Sequence, residues 1–218
     1  MTEVTVQPHD GSDRIGMLHI AGLDIPWHDL DETSSTMDYA SAITPDGGGW
    51  IAVSARTQRA GRGTRGREWH SFPGKGIWVS IVMPPPAEPE LMSSLTVCAA
   101  AALAFVLARH TGLEFQIKQP NDVIRKGRKI AGILIESVTR GSEVVSVVLG
   151  MGVNLEETIE DFIAAGLPDA TSVLIESGIH IDRRVLLESF LERFYPLYVG
   201  RGIMNGLDVG ASKTGDSA

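Results

Sequence analysis

The sequence predicts an α+β fold: a mainly antiparallel central sheet with helices packed against it. Three observations carry this. Short β-rich segments recur between residues 25 and 155, separated by turn residues. A long alanine-rich apolar helix is expected from about Glu90 to His110, stopped by Gly112. A second helix, Asp182 to Val199, is amphipathic, with Val185, Leu186, Phe190, Phe194 and Leu197 at helical spacing as core residues.

Each element follows from local signals. Residues 1–24 scatter Gly, Asp and Pro and read as a loosely ordered lead-in. Ile25 to Leu30 is a short strand. Ser35 can cap the next helix, with Asp38 three residues on in the capping-box position. Hydroxyls at a helix start can also bind a polar ligand group. TPDGGGW (44–50) is a loop, and Trp50 to Ala55 and Gly76 to Met83 are strands ended by Pro84–Pro86. Phe115 to Lys118, Val123 to Arg125, Lys129 to Val138 and Val144 to Leu149 form an antiparallel meander. Its turns fall at Pro120-Asn121-Asp122, Lys126-Gly127 and Arg140-Gly141-Ser142. Gly132, in mid-strand, marks a bulge or the close approach of a ligand. GMGVNL (150–155) is expected to end the sheet and is no dinucleotide fingerprint, since no strand–GxGxxG–helix unit surrounds it. Residues 156–180 read as irregular apart from a helical piece near Ile159 to Ala165. A disordered tail is expected from Gly200.

Composition narrows the function. At 218 residues and 43% hydrophobic, the chain holds one large domain, or one with an appendage. Its net charge of −8 argues against a general nucleic-acid binder. The single Cys98 excludes an intrachain disulfide and a cysteine-cluster metal site, and its apolar surroundings read as a buried structural thiol. Residues 1–14 are polar and acidic, so no signal peptide is expected. Leu91 to Ala108 is apolar enough to raise the membrane question, but its serines, threonine and alanines favour a buried core helix. The expectation is a soluble, cytoplasmic protein with no membrane and no DNA partner.

Against the acidic background stands Arg56 to Trp69, with five arginines and three glycines closed by a tryptophan. Arginine forks grip phosphate or carboxylate, and glycine lets backbone approach a ligand. The stretch joins two strands by a connection too long for a hairpin turn. It reads as a loop that folds over an anionic small molecule. His28 and His70 lack paired metal-ligand spacing, and no metal site is expected. Trp50 and Trp78 read as core residues.

Six motifs stand in one order: SSTMDYA, TQRAGRGTRGREW, GIWVSIVM, KQPNDV, KIAGILIE and GMGVNL. Over roughly Trp27 to Val199 the chain resembles the catalytic domain of the biotin protein ligases, the biotin–[acetyl-CoA-carboxylase] ligases. The resemblance implies a mixed, mainly antiparallel sheet of the class II aminoacyl-tRNA-synthetase and biotin-ligase type, filling residues 25–199. It implies activation of biotin by ATP, carried with Mg2+, to biotinyl-5′-adenylate. The biotinyl group then passes to a lysine of a biotin carboxyl carrier protein. Carried over, Ser35, Thr36 and Gln58 match contacts to the ureido ring, and Gly61, Arg62 and Gly63 match the loop over biotin and phosphate. Trp69 packs on loop and ligand, and Gly132 lets the sheet approach biotin. Lys118 matches the lysine at the carboxylate and phosphate oxygens and, with Arg62, is expected to be catalytic. Arg65, Arg67, Asn121, Lys129 and Asn154 fall on the ATP side.

Met37, Thr64 and Gln119 depart from the family's usual asparagine, arginine and tryptophan. The expectation is a domain without a helix-turn-helix before it or a C-terminal β-barrel after it. These departures leave open a relative that binds biotin or another small acid without transferring it, and a lipoate-type ligase. The arginine–glycine loop and Lys-x-Pro-Asn-Asp favour the biotin branch. A homodimer is also left open.

Overall fold

The computed structural model describes residues 13–45, 49–86 and 91–200. Of the tail expected from Gly200, Gly200 itself ends the last helix, and residues 201–218, like the first 12, lie outside the described residues. In chain order the elements are β1 (Arg14–Ile20), β2 (Leu23–Thr33), α1 (Thr36–Ala42), β3 (Ile51–Gln58) and β4 (Gly76–Met83). Then come α2 (Leu91–Thr111), β5 (Gln116–Lys118), β6 (Asp122–Arg125), β7 (Arg128–Arg140) and β8 (Glu143–Asn154). Three helices close the described residues: α3 (Ile159–Ala164), α4 (Val173–Ser177) and α5 (Arg183–Gly200).

The strands form one eight-stranded sheet in the order β1-β2-β3-β4-β8-β7-β6-β5. Only β2–β3 is parallel, with α1 as the crossover; every other neighbouring pair is antiparallel. The predicted class is the observed one.

The two faces of the sheet have different work. One is covered by α2 and α5. There Ile77, Val79, Ile81 and Met83 of β4 and Val147, Leu149, Met151 and Val153 of β8 meet Leu95, Leu103 and Leu107 of α2 and Leu186, Phe190 and Phe194 of α5. The other face carries α1, over Val53, Ala55, Val82 and Val148. Because β4 and β8 are covered on both sides, they read as nearly continuous apolar runs rather than alternating ones. α2 is long and apolar enough to cross a membrane by length and composition. Its buried flank, including Cys98, is instead part of the main core.

Several expectations need correction. Residues 14–24 are not a lead-in. β1 and β2 form a hairpin about Ala21 and Gly22, both at positive φ, as tight hairpin turns require. Leu18, Ile20 and Ile25 anchor it in the core. β2 is longer than expected at both ends and β3 runs on to Gln58. GMGVNL does not end the sheet at residue 150; β8 continues to Asn154 and pairs with both neighbours. The stretch read as irregular contains α4, capped by Ser172, whose hydroxyl accepts from the Ile175 amide. Val185 is 45% exposed rather than core, whereas Leu186, Phe190 and Phe194 are buried. Ser35 is the N-cap residue of α1, but its side chain makes no cap bond and Asp38 closes no capping box.

Candidate active site

A cleft of about 250 Å³ opens on the α1 face, between α1, β7, β8 and the β3–β4 loop. Its floor is bare backbone. Gly132 of β7 pairs with Gly152 of β8, and Gly150 precedes it on the same face. A Cβ at Gly152 would stand 2.5 Å from the Trp69 ring, and one at Gly132 2.9 Å from it. Trp69 therefore lies directly on glycine backbone, with its edge against Trp78 at a centroid distance of 6.1 Å.

The loop that brings Trp69 here is folded on itself. The Trp69 amide donates to the Gly61 carbonyl at 2.8 Å and the Gly63 amide to Arg67 at 2.7 Å. Arg65 and Gly66 turn the tip with φ of 60° and 71°. The Arg59 and Ala60 amides bond the Thr33 and Ser34 carbonyls, tying the loop to the start of α1. Gly61 has no room for a side chain, since a Cβ would be 2.6 Å from the Trp69 carbonyl.

One wall is polar. Gln58 Oε1 accepts from the Thr36 amide (2.9 Å) and hydroxyl (3.1 Å), and its Nε2 donates to Ser71. Ser80 donates to the Thr36 hydroxyl at 2.8 Å. The Ser35 hydroxyl and the Trp69 indole N–H are buried without a hydrogen-bond partner. Each orphaned group costs roughly 1–3 kcal/mol, which suits a site meant to pair with polar ligand atoms.

The rest of the lining carries the cations, two of them paired with carboxylates. Lys129 Nζ stands 2.7 Å from Asp122 Oδ1 and 5.1 Å from the centroid of the Trp69 ring. The Asp122 contact is an ion pair, its Oδ1 lacking a directional donor. The Lys129 backbone bonds residues 169 and 171, which brings Leu167 to the cleft. Asn121, buried, donates its amide to the Ile133 carbonyl. Arg62 Nη2 reaches Asp38 (2.8 Å) and Glu136 (3.1 Å). Arg67 folds back on Thr64, donating to its hydroxyl and carbonyl.

Thus Thr36, Gln58, Arg62, Gly63, Arg67, Trp69, Asn121, Lys129 and Gly132 line one cleft. Ser35 is buried beside Thr36, and Gly61 supports Trp69. Besides Ser35 and Gly61, three expected residues do not line it. Lys118 is exposed at the end of the edge strand β5. It stands at the outer end of the cross-strand row Lys118–Asp122–Gly132–Gly152, so it shares the cleft's face but sits at its rim. Arg65 is exposed at the loop tip. Asn154 is buried and donates to the Thr171 carbonyl, bracing the segment behind Lys129. His28 meets Tyr39 edge-on and His70 lies tilted against Phe72. Sequence reasoning missed Gly150, Gly152 and Leu167. The G-x-G spacing on a strand places both glycines on one face and could have found the first two; nothing in the sequence marks Leu167.

Comparison with known proteins shows what the chain is similar to. The family described as Biotin/lipoate A/B protein ligase matches residues 31–154. The bifunctional ligase/repressor BirA of Bacillus subtilis is 33% identical over 188 residues, 84% of this chain and 57% of that protein. The biotin–[acetyl-CoA-carboxylase] ligase of Paracoccus denitrificans is 40% identical over 146 residues, 66% of this chain and 57% of that one. The chain thus spans little more than half the length of these curated relatives. A biotin protein ligase from Aquifex aeolicus, solved with biotin and ATP, superposes with a TM-score of 0.65 at 27% identity. The match covers 78% of this chain and 68% of that one. A ligase from Leishmania major, solved with biotinyl-5-AMP, shares the fold at a TM-score of 0.64 and 23% identity, covering 88% of this chain and 87% of that one. With the family match extending over more than half of its residues, the chain belongs to the biotin/lipoate A/B protein ligase family.

Proposed function

We propose that the chain is a biotin protein ligase, which joins biotin to ATP as biotinyl-5′-adenylate and passes the biotinyl group to a lysine of a biotin carboxyl carrier protein. The observation that carries this reading is the glycine-floored cleft under Trp69, polar at one end and cationic at the other. A flat neutral ring with donors on two nitrogens and one acceptor oxygen suits Ser35, Thr36 and Gln58. An acyl phosphate suits the Lys129 end.

In the first step a carboxylate oxygen of biotin attacks the α-phosphorus of ATP, and the bond to the bridging oxygen breaks with loss of pyrophosphate. Two anions must approach, so the main catalytic need is fixed positive charge where they meet. Lys129, held over Trp69 by Asp122, supplies it from within the cleft. Arg67 adds charge from the loop and Arg65 from its tip, while Asn121 and Asn154 brace the nucleotide side. Lys118 acts from the rim, so Lys129 replaces it as the first candidate for the central cation. Trp69 and the loop exclude water from the mixed anhydride. In the second step the unprotonated ε-amine of the carrier lysine attacks the acyl carbon and AMP leaves. Mg2+ enters with the ATP phosphates. Among the described residues no cluster of three or more His, Cys, Asp or Glu forms a separate metal site. The need for ATP and a carrier enzyme supports a cytoplasmic location.

The test is to incubate the chain with biotin, MgATP and an apo carrier domain and to blot with streptavidin. A labelled carrier, lost with Lys129→Ala, is expected; a blank blot from folded parent protein overturns the transfer reading.

A further inference from the structure

Asp38 stands where it could close a capping box with Ser35 at the start of α1, yet it does not. Its carboxylate instead meets Arg62 Nη2 at 2.8 Å, while the Ser35 hydroxyl is left buried and orphaned. The same nitrogen reaches Glu136 Oε2 at 3.1 Å. Glu136 lies on β7, on the face of Gly132 by alternation. One guanidinium of the β3–β4 loop therefore joins α1 to β7, on two sides of the cleft.

We propose that Asp38 and Glu136 are positioning residues which, through Arg62, latch the 59–75 loop over the cleft and so gate ligand entry and exit. The sequence expectation had Arg62 turned to substrate phosphate. Here both of its contacts are with protein carboxylates. The three side chains are each roughly half exposed. The latch is therefore a weak, salt-sensitive fastening that opens readily, as a gate must, rather than a stability element. A gate changes the rates of entry and exit by the same factor and leaves the equilibrium alone. A side chain that merely shaped the pocket would change affinity.

The proposal concerns regulation of the site assigned above and rests on that reading for its ligand. The experiment compares parent protein, the double variant Asp38→Asn/Glu136→Gln, and the conservative Glu136→Asp. Amide hydrogen exchange of the 59–75 segment is followed without ligand, at low salt and at about 1 M salt, where the Debye length falls to about 3 Å. Biotin association and dissociation rates are measured under the same conditions. In the double variant, loop exchange and both biotin rates should rise roughly five-fold, the size expected for two partly exposed ion pairs acting together. The dissociation constant should stay within about two-fold, as expected for a pure gate. Parent protein in high salt should behave like the double variant, and Glu136→Asp like the parent. Loop exchange that is the same in parent and double variant overturns the latch. So does a dissociation rate that rises alone, which marks loss of a binding contact instead. If the parent binds no biotin, the functional reading fails, and the exchange arm still decides the latch.

Discussion

Single glycines in this protein divide cleanly by what lies above them. At Gly152 the obstacle to a Cβ is the Trp69 ring, carried on a loop that can move. At Gly76 the obstacles are the buried Trp78 ring at 2.3 Å and the Val153 carbonyl at 2.7 Å. Gly152→Ala should therefore leave stability nearly unchanged while lifting Trp69 and weakening biotin binding about ten-fold or more, measured by calorimetry; loss of one well-packed ring contact is of this order. Gly76→Ala should overpack the sheet and destabilise by about 1–3 kcal/mol in denaturant titration. The reverse pattern would show that Trp69 is not seated on the β8 backbone as described.

Glu157 gives a prediction of another kind. It is fully buried and neither carboxylate oxygen has a hydrogen-bond partner. Burial pushes its pKa up from 4.5 to about 8; the nearby backbone amides of residues 155–157, none in hydrogen-bonding geometry to either oxygen, oppose the rise, and the Asp161 charge adds to it. A carboxyl raised on folding keeps a proton that the unfolded chain has lost. Its contribution is thus fully present below about pH 4.5 and is lost as pH rises towards 8. The cost is about 1.4 kcal/mol per pH unit within that window at most. Subtracting the stability of Glu157→Gln from that of the parent across pH 5–8 should isolate this slope. A flat difference would mean that Glu157 finds a partner in solution.

Elements that are buried or sharply punctuated were the legible ones. β4 reads to the residue because GIWVSIVM is β-branched and apolar and Pro84 follows it. α2 ends where Gly112 takes a positive φ. β1 was hidden because only Leu18 and Ile20 of its seven residues are buried, which leaves a thin alternation among Gly, His and Arg. α4 was hidden because a five-residue helix has too few turns to show a period. In the site, the loop, the polar wall and Asn121 were legible from motifs. The respective places of Lys118 and Lys129 were not, since they depend on which strand of the β5–β6–β7 meander is the edge. This makes a direct test: Lys129→Ala should lower adenylate formation about a hundred-fold or more, as loss of a preorganised charge does, and Lys118→Ala by less than ten-fold.

The loop element carries the remaining departure. Thr64 lines the cleft and its hydroxyl is engaged by Arg67, so the arginine that stays is partly spent on its neighbour. Thr64→Arg restores a cation that is typically worth about 1.5–3 kcal/mol to an anion. The lifetime of bound biotinyl-adenylate should lengthen ten-fold or more by this measure; equal lifetimes would sink the idea.

At the scale of the whole molecule, one sheet serves two purposes because its faces differ. The α2–α5 face buries the main core. The other face trades side chains for glycine at Gly132, Gly150 and Gly152 and opens into the cleft. The net charge of −8 makes the cationic lining around Lys129, Arg62 and Arg67 a local feature rather than part of a basic surface. The central claim is that this cleft adenylates biotin. Biotin-dependent exchange of labelled pyrophosphate into ATP tests it most directly, since it needs no carrier and reads only the first step. Exchange that requires biotin and is lost in folded Lys129→Ala is the predicted result. No biotin-dependent exchange from folded parent protein would contradict it.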